Sequence, residues 1–106
     1  MLPLAEQLKG LVELACSPQK YDLGAPPAND PRKCAVVLEQ VQRIDGVRQA
    51  EIYPLAVWVL ENDFWQGQML SIAKWRKRSE KNGRAKILNA RKAWMDAGSP
   101  GGGRAP

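Results

Sequence analysis

The chain has 106 residues, 44% hydrophobic and 25% charged, enough for one compact domain and too few for two. Sixteen Lys and Arg oppose eleven Asp and Glu for a net charge of +5, with two cysteines and no histidine. This excludes His-dependent nucleophile systems, His-ligated metals and four-thiolate zinc sites, and no apolar run approaches the roughly 18 residues of a membrane span.

Residues 2–16 place Leu4, Leu8, Leu11, Val12 and Ala15 at helical spacing. Ser17-Pro18 ends this first helix, because proline keeps the residue before it out of helical geometry. The N-terminus lacks a basic region, and Glu6, Lys9 and Glu13 interrupt any apolar run, so no signal peptide is expected and the compartment reads as a reducing cytoplasm. Cys16 and Cys34 then serve as small buried hydrophobes, a bridge between them requiring that their helices meet. Residues 18–30 (PQKYDLGAPPAND) form a linker stiffened by Pro26-Pro27. Its length would let the first helix dock loosely or exchange onto a second copy, which leaves a homo-oligomer open.

Asp30-Pro31 is a helix start, an N-cap acceptor followed by proline at the first helical position. This second helix runs to about Ile44, with Cys34, Val37, Leu38 and Val41 on one face, and Asp45-Gly46 ends it. The third covers about Gln49 to Glu61. Pro54 must lie in or near its first turn, or the helix begins only around Tyr53. Leu55, Val57, Trp58, Val59 and Leu60 are apolar almost all round, which marks the central core helix. After Asn62-Asp63, Phe64-Trp65 is a short apolar plug, and Gln66-Gly67 a turn. Ser71 then caps a fourth helix carrying Ile72, Trp75 and Ser79 inward. Asn82-Gly83 either ends this helix or sits inside one longer one. The last helix, about Arg84 to Ala97, buries Ile87, Leu88, Trp94 and Met95, and Gly98 caps it. Without β-alternation or an internal repeat, the expected fold is all-α, about five helices. It divides into an N-terminal helix (1–17), a linker (18–30), a helical domain with basic C-terminal helices (31–98) and a flexible Gly/Pro tail (99–106).

Charge is divided unequally. Residues 1–70 carry six basic and nine acidic side chains, net −3; residues 71–106 carry ten and two, net +8. Between Lys74 and Lys92 stand Lys74, Arg76, Lys77, Arg78, Lys81, Arg84, Lys86, Arg91 and Lys92 against the single acid Glu80. A merely solubilising face usually mixes both signs, whereas a polyanion would offset the mutual repulsion by releasing its condensed counterions. These nine cations are the candidate nucleic-acid-binding residues. Phe64, Trp65 and Trp75 lie close to them, and exposed aromatics among cations suit single-stranded bases; Trp65 and Trp75 are the candidate stacking platforms, the other reading being that all three are core. A helix-turn-helix is also compatible, but Gln68, Ser71 and Asn82 are sparse for base reading, so backbone contacts are expected.

Residues 51–77 (EIYPLAVWVLENDFWQGQMLSIAKWRK) combine an apolar helix carrying Trp58, the Asn62-Asp63 break, Phe64-Trp65, a short turn, Leu70-Ser71 and the basic run Trp75-Arg76-Lys77. This stretch, about a quarter of the chain, resembles the C-terminal helical segment of phage and mobile-element replication proteins, the replisome-organiser and DnaD-like primosomal proteins. The resemblance implies a helical module that binds DNA, often single-stranded, and helps recruit or load the replicative helicase. It would make Trp58, Phe64 and Trp65 packing anchors, Ser71 the cap, and Arg76 and Lys77 the start of the DNA-facing surface.

The function expected is thus a non-enzymatic DNA-binding accessory of phage or mobile-element replication, without cofactor or metal. It would favour single strands over duplex and have the replicative helicase or another replication protein as partner. The alternative is a small phage-type adaptor or inhibitor binding an acidic surface of a host protein. Catalysis is not expected: Glu61 and Asp63 are too close in sequence to share a helix face, and no P-loop or dinucleotide glycine fingerprint is present.

Overall fold

Four α-helices carry the architecture of the computed structural model, which describes residues 1–98: α1 (Leu2–Cys16), α2 (Pro31–Arg43), α3 (Gln49–Glu61) and α4 (Lys86–Asp96). Single 3-10 turns at Gln66–Gln68 and Ile72–Lys74 lie between α3 and α4. The expected tail, 99–106, falls outside the described residues.

The local signals for the first two helices operate as expected. Ser17 is extended (ψ 149°) ahead of Pro18 and stops α1. The Asp30 carboxylate accepts from the Arg32 amide (3.0 Å), with Pro31 at the first helical position of α2. Gly46, at φ +73°, lets the chain leave α2 in the left-handed region that L side chains avoid.

Tertiary packing overrides the expectation of a loose first helix. Ala5, Leu8, Val12, Ala15 and Cys16 are buried in the same apolar cluster as Leu38, Val41, Leu55 and Val59, and α1 packs on both α2 and α3. The radius of gyration, 13.1 Å, matches the ~13 Å of a single globule of this length. The linker is held by Asn29, a buried residue at φ +43°. Its side chain donates to the Leu70 carbonyl (2.8 Å) and accepts from the Ile72 amide (3.0 Å), 41 and 43 residues away. Cys16 and Cys34 are both buried free thiols, and burial raises the pKa of each.

Pro54 is a correction of position. It lies inside α3, in the second turn, and the helix still begins at Gln49. Proline removes only the amide that would bond the Ala50 carbonyl; both residues are exposed, so water can take its place. The helix start is secured instead by Glu51, whose carboxylate accepts from the Arg48 amide (3.1 Å).

The larger correction lies beyond Ser71. The expected fourth helix does not form, so the described residues hold four α-helices where about five were expected. Ser71 makes no side-chain cap, and the chain turns once through Ile72–Lys74. It then folds back on itself: the Ser79 amide bonds the Arg84 carbonyl (2.8 Å), Lys86 bonds Lys77 (2.9 Å), and Ile87 bonds Trp75 (2.8 Å). Arg78 and Ala85 form one isolated antiparallel bridge. A helix over these residues would have stacked five cations within two turns. The folded-back arms satisfy the backbone across the turn instead, and Gly83 (φ +69°) makes the reversal possible. Helix α4 accordingly starts at Lys86 rather than Arg84.

Candidate nucleic-acid interface

Trp75 anchors the folded-back segment. It is 2% exposed, and its indole N–H donates to the Met69 carbonyl (2.9 Å). Neither ring face is open, so the expectation that Trp75 stacks on bases is corrected: it is core. Trp65 is half-buried and meets Phe64 edge to face, ring centroids 5.1 Å apart at 83°. Phe64, expected to plug the core, stands 68% exposed.

The nine cations do not form one face. Arg76 reaches across to α2's end and pairs with Asp45 (2.8 Å), whose carboxylate is nearly buried. Arg91 of α4 pairs with the buried Glu51 of α3 (3.0 Å). Burial alone would raise the Glu51 pKa, but the Arg48 amide, together with the Arg91 and Arg48 guanidiniums, holds it below the ordinary carboxylate value. Lys92 pairs with Asp96 one turn along α4 (2.9 Å). These three are therefore spent on structure or neutralised.

The other six, Lys74, Lys77, Arg78, Lys81, Arg84 and Lys86, form no ion pair with a carboxylate among the described residues. Arg78 braces the turn by donating to the Gly83 carbonyl (2.7 Å). Lys86 is half-buried and donates to the Gln68 carbonyl (3.0 Å). Its pKa is lowered, first by desolvation and then by repulsion from Lys77 and Lys74. Three ammonium groups thus share one region, and none of them is in an ion pair with a carboxylate among the described residues.

Between this arm and the aromatic turn opens a cleft of about 550 Å³. Phe64, Trp65 and Gln68 form one side; Lys77 through Asn82 form the other; Lys86 and Asn89 of α4 complete it. Glu80 is its single acid. Asn82 and Asn89 bond each other reciprocally through their amides (3.1 and 3.4 Å), and Asn82 also accepts from the Arg84 amide (3.0 Å). Asn89 is not singled out by the sequence, and Phe64 reads there as an aromatic beside the basic run and a packing anchor rather than as a binding residue. The signal available is its place among Asn62, Gln66 and Gln68, polar neighbours typical of a surface turn.

No helix among the described residues is long and apolar enough to cross a membrane. Comparison with protein families, curated proteins and solved structures found no match to this chain.

Proposed function

We propose that the protein is a non-enzymatic DNA-binding accessory of phage-type or mobile-element replication. DNA would be bound through the cationic surface formed by residues 74–86. One observation carries the reading. Among the described residues, Glu39, Asp45, Glu51 and Asp96 pair with Arg43, Arg48, Arg76, Arg91 and Lys92, while Lys74, Lys77, Arg78, Lys81, Arg84 and Lys86 form no ion pair with a carboxylate. Such a surface stores repulsion that a row of phosphates relieves. The resemblance of residues 51–77 to replisome-organiser and DnaD-like proteins supports replication as the setting and a replicative helicase or another replication protein as partner. The open, irregular shape of the cleft supports single strands over duplex.

The test is fluorescence anisotropy of labelled single- and double-stranded oligonucleotides across a salt series. Log affinity should fall with log salt by about 0.7 for each phosphate neutralised on a single strand. Replacing Lys74, Lys77 and Lys81 by Glu should abolish most of that slope while the helical circular dichroism is kept. Arg76 is excluded from this set because its pair with Asp45 is structural. Absence of binding to either strand at low salt would move the surface to an acidic protein partner.

A further inference from the structure

We infer that the cleft seats one unpaired base of a single-stranded nucleic acid, stacked on the ring of Phe64, with Lys77 and Lys86 on the adjoining phosphates. The inference rests on the DNA-binding reading above and specifies which part of the ligand the cleft takes.

Phe64 is 68% exposed although it lies three residues beyond a core helix, so it forgoes the stabilisation that burial would give. It is nonetheless held in place. The Asn62 side chain accepts from the amides of Phe64 (3.0 Å) and Trp65 (3.2 Å). Gln68 donates from the next turn to the Phe64 carbonyl (2.9 Å), and Trp65 braces the ring at 83°. An aromatic side chain fixed on a hydrogen-bonded turn and offered to solvent loses little conformational freedom when a flat ligand settles on it.

The opposite side of the cleft carries what such a ligand needs. Its volume, about 550 Å³, lies within the ~300–1,000 Å³ of sites that hold small organic molecules. After its reciprocal bonds with Asn82, Asn89 keeps one N–H and one lone pair for the polar edge of a base. Lys77 and Lys86 supply charge for the backbone on either side. A base inside a duplex exposes no face to stack on, so the cleft would take single strands or ends.

The experiment compares two labelled single strands of equal length and equal phosphate number, one of thymidines and one of tetrahydrofuran abasic units. At one salt concentration the thymidine strand should bind about 5- to 150-fold tighter. Phe64→Ala should bring it down to the abasic level, Phe64→Leu should do the same although it keeps apolar bulk, and Phe64→Tyr should restore the gap. All variants should keep the salt slope and the helical circular dichroism. Equal binding of the two strands by the unaltered protein, or a gap that survives Phe64→Ala, would overturn the base seat while leaving the cationic surface intact. Loss of salt-dependent binding altogether would overturn the DNA-binding reading itself.

Discussion

Two regions of this molecule solve the same physical problem by opposite means. Between Leu2 and Glu61 most of the backbone is satisfied inside three α-helices, and apolar stripes bury their faces against one another. From Asn62 to Ala85 there is no α-helix. The backbone there depends on side chains and on bonds between distant segments: Asn62 on the amides of 64 and 65, Asn29 on Leu70 and Ile72, Trp75 on Met69. The first region distributes its stability over many interchangeable contacts. The second concentrates it in a few anchors, and so can leave Phe64 and the cations Lys74, Lys77, Arg78, Lys81 and Arg84 facing outward.

If that contrast is right, removing an anchor should cost far more than any surface change in the same region. Trp75→Ala removes a buried indole and its hydrogen bond, and should destabilise the protein by about 3–5 kcal/mol in chemical denaturation. A loss below about 1 kcal/mol would mean that the folded-back arm is not tied to the core. Asn29→Ala leaves the Ile72 amide and the Leu70 carbonyl unpartnered and puts alanine at a left-handed φ. A loss of about 2–4 kcal/mol is expected, with faster amide exchange at Ile72. An unchanged stability would return the linker to a loose tether.

The first region is tied to α4 through Glu51, which pairs with Arg91. The folded pKa of Glu51 is depressed, so its contribution is fully present above the unfolded carboxylate value near 4.5 and is lost as pH falls through the lower folded value. Glu51→Gln should therefore cost about 1–2 kcal/mol at pH 7, discounted because Arg48 is largely exposed, and the cost should shrink in acid. A pH-independent difference between the two proteins would contradict the ion pair as its source.

The smallest effect is the most diagnostic of purpose. Lys86 is disfavoured as a cation by burial and by Lys77 and Lys74. Lys77→Gln should leave the free protein at least as stable, with Tm unchanged or slightly raised. The same substitution should lower the salt slope of single-strand binding by about 0.7. A protein whose Lys77 served only its own fold would show the reverse.

Much of the first region was legible because its signals are local. Asp30-Pro31, Ser17-Pro18 and Asp45-Gly46 mark ends within two residues of themselves, and the spacing of Leu8, Val12, Leu38 and Val41 states which face is inward. The candidate interface was less legible. Arg76 and Arg91 read as members of a basic face because nothing near them in sequence is acidic; their partners, Asp45 and Glu51, are 31 and 40 residues away. Phe64 and Trp75 have similar apolar character in sequence, yet one is exposed and the other closed off.

What the sequence by itself determined was the helical class, the ends of α1 and α2, the end of α3, and the concentration of positive charge beyond residue 70. Each follows from short-range geometry or from composition. The tertiary structure alone decided that the basic run folds back instead of continuing as a helix, which cations keep their charge free, and which aromatic faces solvent. Those outcomes depend on burying Trp75 and on pairing Asp45 and Glu51 across the fold. Burial and long-range ion pairing are properties of the packed chain, and no window of neighbouring residues contains them.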